Sequence, residues 1–190
     1  MNPTTRRSFL AGAGSALVLA GCDTQSAAPA NDGTGAIMID ARVDEALDFL
    51  FTRYPATRAL ANRANGLLVM PLVTKAGFFV GGAYGRGALR QNGITVDYYS
   101  ATSGTVGYQI GAQQFSHVLM FMTPGALREF RTSSGWSADI EAEYAFVDTG
   151  GNISGQSLDN AEVIAFVFGQ AGLALGATLR GTKYTRIDPR

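Results

Sequence analysis

Between Lys75 and Leu89 the chain reads KAGFFVGGAYGRGAL, and this block constrains the fold more than any other. Its odd positions are Gly77, Phe79, Gly81, Ala83, Gly85 and Gly87, and its even positions are Phe78, Val80, Gly82, Tyr84, Arg86 and Ala88. The period is two, so the block is a strand with one nearly bare face. Glycine weakens a strand interior unless something approaches its backbone closely. Either another element of the protein packs on the bare face, or a ligand does. A partial copy 95 residues later, Gln170 to Gly181, favours packing, with two similar hairpins set around a shared centre.

The first 22 residues are a transport address and stand outside the fold argument. Arg6-Arg7-Ser8-Phe9-Leu10 is a twin-arginine pattern, followed by a short apolar run of small residues from Ala11 to Ala20. Leu19-Ala20-Gly21-Cys22 resembles a bacterial lipobox, in which the cysteine is acylated and becomes the new N-terminus. About ten apolar residues are too few for a span, which needs roughly 20. The expectation is twin-arginine export, a lipid anchor at Cys22 in a bacterial envelope membrane, and a domain facing the periplasm.

Cys22 is the only cysteine, so the rest of the chain has neither disulfide nor thiol chemistry. From Cys22 onward there are 13 Lys+Arg and 15 Asp+Glu, a formal charge of −2, and only Lys75 and Lys183 are lysines. That balance offers no field for nucleic acid. Residues 23–40 (DTQSAAPANDGTGAIMID, from the second residue after Gly21) show no periodicity and are expected to be a tether. Residues 41–190 suffice for one domain.

Asp40 is placed to cap a helix whose apolar stripe is Val43, Ala46, Leu47, Leu50 and Phe51; Pro55 opens a second helix, and Gly66 is placed to end it. Strands follow at Leu67–Val73, where Pro71 marks an edge or a bulge, at Lys75–Leu89, Ile94–Ala101, Gly104–Ala112 and Ser116–Met122. Gln91-Asn92-Gly93 is a hairpin turn, and a tight turn is expected at Ala76-Gly77. Thr123-Pro124 caps a short helix with Leu127 and Phe130 inward. The fold class is α+β: a twisted, mostly antiparallel sheet able to curl toward a barrel, with N-terminal amphipathic helices packed on it.

Enzyme chemistry finds little support. His117 is the only histidine and stands in an apolar strand, without the partners a triad or metal centre requires. Asp139, Glu141 and Glu143 alternate along one strand face, the pattern of a solvated sheet face; as a rival idea, they could hold Ca²⁺. Gly82 to Gly87 lacks the following helix of a dinucleotide fingerprint. No catalytic residue, cofactor or metal is expected. The best site candidates are basic: Arg86 and Arg90, four residues apart on the glycine-rich strand, with Arg180 in the second copy and Lys183 and Arg186 near the C-terminus. If the two hairpins are neighbours these five form one patch for lipid phosphates, which arginine forks match. Tyr98, Tyr99 and Trp136 are candidates for either a membrane interface or the core.

Gly66-Leu67-Leu68-Val69-Met70-Pro71, Lys75-Ala76-Gly77-Phe78, Gly81 to Gly87, Gly107-Tyr108-Gln109-Ile110-Gly111-Ala112-Gln113 and Ala171 to Gly176 together resemble the SYLF domain family, in its bacterial lipoprotein branch. The resemblance spans about Ala41 to Ile187. It implies a non-enzymatic lipid-binding module, associated in eukaryotic relatives with phosphoinositide membranes and in some with actin. The acidic residues Asp44, Glu45 and Asp48 on the first helix depart from the basic N-terminal surface that the family implies. The partner expected is therefore a phospholipid membrane. The alternative is a scaffolding lipoprotein that binds another envelope protein or itself through its sheet edges.

Overall fold

The structure is a computed structural model that describes residues 34–137, 143–144, 146–147, 153–154, 160–169, 179 and 181–189. Residues Asn31–Arg190 form one compact unit. Both apolar clusters of the described residues lie inside it, so the chain from Asp23 onward is expected to fold without the leader. The elements are α1 (Thr34–Arg53), α2 (Ala56–Arg63), β1 (Gly66–Gln91), β2 (Ile94–Phe121), α3 (Pro124–Thr132), β3 (Trp136–Ser137), β4 (Glu143–Tyr144), β5 (Phe146–Val147), β6 (Ile153–Ser154), β7 (Val163–Phe168) and β8 (Thr182–Ile187).

The centre of the fold is the β1–β2 hairpin, two strands of 26 and 28 residues paired from Gly66↔Phe121 to Gln91↔Ile94. Asn92 (φ 51°) and Gly93 (φ 78°) close it with positive φ at both central positions, as the twist of flanking strands requires. The five separate strands expected from the sequence are thus two. Pro71 sits in a register shift between Met70 and Val73, and the expected turn at Ala76-Gly77 is instead a shift between Gly77 and Phe79 within continuous β1. A bulge of this kind removes one ladder pairing and bends the strand without ending it.

One edge of β2 carries β1; the other carries β8 near its start (Tyr98↔Ile187 to Ser103↔Thr182) and β7 near its end (Ser116↔Phe168 to Phe121↔Val163). With β3 on β8 and β4 parallel to β7, the order is β3-β8-β2-β7-β4, antiparallel apart from the last pair. β5 and β6 form a separate two-stranded sheet. This is the α+β architecture expected, with a sheet that curls into a half-barrel.

Glycine makes the curl possible. A Cβ on Gly87 would lie 2.0 Å from the carbonyl oxygen of Val69, and one on Gly85 would lie 2.7 Å from that of Leu72. Val69 and Gly87 are 18 positions apart on one strand, roughly 60 Å in a straight one. The strand therefore coils until its first third presses on its own bare face. At Gly85 and Gly87 the space left by the missing side chains is filled by the strand's own backbone. Gly66, expected to stop α2, is a further close approach, its missing Cβ 3.0 Å from Leu127; α2 ends at Ala64, which turns to extended backbone.

Alternation along the strands sorts side chains into two cores. The concave side buries Leu68, Met70, Leu89, Tyr99, Leu119, Phe121, Trp136 and Tyr184, with Leu127 and Phe130 of α3 closing over them. The convex side buries Val69, Ala88, Val118, Met120, Ile164 and Phe166 against Ile39, Val43, Ala46 and Leu50 of α1. Thr123 caps α3, its side chain accepting from Ala126 N at 3.1 Å. α1 differs from expectation at its start. It begins at Thr34, so residues 34–40 of the expected tether are helical and Asp40 lies inside the helix, not at its cap. Because Asp40 has partners on the hairpin, the helix gains there what a cap would have supplied.

Candidate functional site

Among the described residues, the expected basic residues do not form one patch; ion pairing divides them. Arg90, after the bulge at Leu89, turns toward α1: its Nη1 is 2.9 Å from Asp44 Oδ1 and its Nη2 3.6 Å from Asp40 Oδ1. Asp40 also accepts from Thr95 Oγ1 at 2.7 Å and from the Tyr98 hydroxyl at 2.8 Å. Burial and that bond to a carboxylate both raise the Tyr98 phenol above its ordinary pKa. This cluster ties α1 to the hairpin, and Arg90 is spent in it.

Arg186 is spent on the concave side. It pairs with Asp97, which also takes Arg131 of α3 at 3.1 Å. Tyr99 opposite Arg186 is buried, and burial first, then Asp97, raises its pKa. Tyr99 and Trp136 lie in the core against Phe130, at centroid distances of 4.7 and 5.5 Å, which excludes them from a membrane interface. Arg180 and Cys22 lie outside the described residues, as do Asp139 and Glu141 of the Ca²⁺ idea and the second glycine-rich copy from 170 to 178.

Arg86 and Lys183 remain. Across the ladders, Arg86 faces Ser100, which faces Thr185; two pairs further along, Tyr84 faces Thr102, which faces Lys183. Directly opposed residues share a face, so Arg86, Tyr84, Thr102, Lys183 and Thr185 stand together on the convex side, beyond the part α1 covers. All five are exposed, Tyr84 by 54 %. Arg86 and Lys183 form no ion pair among the described residues. Lys183 runs across Gly135, whose missing Cβ leaves room for the lysine stem, 2.2 Å from Cε. The result is a shallow cationic face with an aromatic and hydroxyls, suited to hydrogen-bonding an anion at a surface. Sequence alternation marked Arg86, but its co-facial partner Lys183 depends on β8 docking beside β2, which no local signal encodes.

His117 belongs to the core. It is fully buried, its Nε2 2.7 Å from the Tyr184 hydroxyl, and burial pushes its pKa down to about 3. Its Nδ1 has no hydrogen-bond partner among the described residues. Among the described residues no group of three His, Cys, Asp or Glu side chains converges on a metal-sized site. A groove of about 240 Å³ between α1 and the sheet is lined by Arg42, Phe49, Leu72, Ser116 and Phe168, and no helix of the described residues is long and apolar enough to cross a membrane.

No curated protein matches the chain. Residues 102–188, from the middle of β2 through β8, match the family model described as Ysc84: Las17-binding protein actin regulator. β1, which carries the glycine-rich block, precedes that stretch but is paired with β2 along its length. Over residues 102–188, a little under half of its length, the chain is thus similar to the Ysc84, or SYLF, domain family.

Proposed function

We propose that this chain is a non-enzymatic domain that binds anionic phospholipid surfaces and is held at a bacterial envelope membrane through acylated Cys22. The observation that carries the binding reading is the convex face of β1, β2 and β8. There Arg86 and Lys183 stand unpaired among the described residues, with Tyr84, Thr102 and Thr185 around them, while Arg90 and Arg186 are neutralised by aspartates. A guanidinium offers a planar fork to phosphate oxygens, and an ammonium a point charge. An open face of this kind suits head groups presented in a plane better than a single enclosed small molecule. The family match supports a binding role over a catalytic one, and the twin-arginine and lipobox motifs support the envelope setting.

The test is vesicle co-sedimentation of the chain from Asp23 onward. Each basic residue near an anionic surface is worth about 1 kcal/mol. Arg86→Ala with Lys183→Ala is therefore expected to weaken binding to phosphatidylglycerol-containing vesicles about thirtyfold at low salt. Unchanged binding by the double variant removes this face as the site.

A further inference from the structure

The described residues expose five large apolar side chains, and four of them lie on two segments that one hydrogen bond joins. Ile94 (69 %) and Val96 (38 %) follow the Asn92-Gly93 turn, while Ile37 (67 %) and Met38 (56 %) lie in the first turns of α1. The bond from Thr95 to Asp40 joins these two places: Ile94 is one residue from Thr95, and Ile37 is one helical turn before Asp40. An isolated exposed isoleucine needs no explanation, but four apolar residues about one loop tip do. The carboxylates nearest them are compensated. Asp40 and Asp44 are paired with Arg90, and Asp97 with Arg131 and Arg186. The tip therefore presents apolar surface with little uncompensated charge to dehydrate.

We propose that this tip, formed by Ile94 and Val96 of the hairpin with Ile37 and Met38 of α1, inserts into the interfacial region of a phospholipid bilayer. The proposal rests on the lipid-binding reading above and adds to it a second, apolar contact. The anchor argues for the bilayer as occupant. Only residues 23–33 separate Cys22 from Thr34. Eleven residues reach at most about 40 Å at roughly 3.3–3.6 Å each. An acyl group on Cys22 therefore keeps the start of α1, with Ile37 and Met38, close to the membrane whatever course those residues take. Ile94 and Ser100, the neighbour of Arg86, are six strand residues apart, roughly 20 Å. A head-group layer is only roughly 5–8 Å deep. Tip and cationic face therefore meet one bilayer with the hairpin inclined to it, the tip deepest.

The experiment uses the chain from Asp23 onward, in which Ile94→Cys supplies the sole thiol for an environment-sensitive fluorophore. Glu129→Cys, exposed on α3, serves as the control. With vesicles of phosphatidylcholine and phosphatidylglycerol, the label at position 94 is expected to shift to the blue and the label at 129 is not. Part of the binding is expected to survive 0.5 M salt (roughly a 4 Å screening length), since apolar contact is not screened. Ile37→Ser with Ile94→Ser, both at exposed positions, is expected to lower the partition coefficient by about tenfold or more with unchanged circular dichroism. Labelled protein that floats with vesicles while the signal at 94 stays unchanged overturns the inserted tip and leaves the lipid-binding reading standing. Absence of flotation at any salt concentration overturns both.

Discussion

At the scale of single residues, the fold depends most on what glycine leaves out. Gly87→Ala would place a methyl carbon against Val69 O and Met70 Sδ, 2.0 and 2.6 Å away, with backbone on one side. Its cost is expected at the upper end of overpacking, about 3 kcal/mol or more in urea denaturation. Gly104→Ala meets nothing within 4 Å and is expected to change stability by less than about 0.5 kcal/mol. Equal effects of the two would contradict the self-packed strand. His117 supplies a second residue-scale prediction. Its folded pKa, about 3, lies below the ordinary 6.5, so between these values the unfolded chain holds a proton that the folded one does not. Stability from this residue is complete above pH 6.5 and falls as pH drops toward 3, at up to about 1.4 kcal/mol per pH unit. His117→Phe is expected to flatten that slope, read as denaturation midpoints from pH 7 to pH 4. The alternation of small residues was visible in the sequence; that the Gly85–Gly87 face meets the carbonyls of its own strand was not, because the contact spans 18 positions and depends on accumulated twist.

At the scale of elements, the apolar stripe of α1, the α3 cap and the Asn92-Gly93 turn were legible, since each follows from chemistry within a few residues. The lengths of β1 and β2 were not. Pro71 and Ala76-Gly77 read as punctuation, yet a long ladder absorbs such residues as register shifts when its partner strand runs on beside them. The start of α1 was missed for a related reason. Asp40 has the chemistry of a cap, but its oxygens serve Thr95, Tyr98 and Arg90 across the fold. Asp40→Ala leaves those three groups short of a partner in a partly buried place. It is expected to cost about 1–3 kcal/mol in chemical denaturation. Asp44→Ala, at a side chain 65 % exposed, is expected to cost less than about 1 kcal/mol. Both losses are expected to show as earlier protection loss in α1 by hydrogen exchange, because the cluster fastens that helix to the hairpin.

At the scale of the whole molecule, the sequence pointed to basic residues, and the architecture decides which of them meet an aspartate. Net charge near zero conceals an arrangement in which aspartates consume Arg90, Arg131 and Arg186 and leave the convex face cationic. Arg86 was identifiable from its place on an alternating strand. Its pairing with Lys183 required β8 to dock on β2, a long-range event without a local signature. The family resemblance, carried by short glycine-rich blocks, anticipated the SYLF match at 102–188. The most direct test of the lipid-binding account is flotation of the chain from Asp23 onward with phosphatidylcholine vesicles containing increasing phosphatidylglycerol, at 0.05 M and 0.5 M salt. The account predicts binding that rises with the anionic fraction and weakens at the higher salt. Absence of flotation at every composition in 0.05 M salt would contradict it.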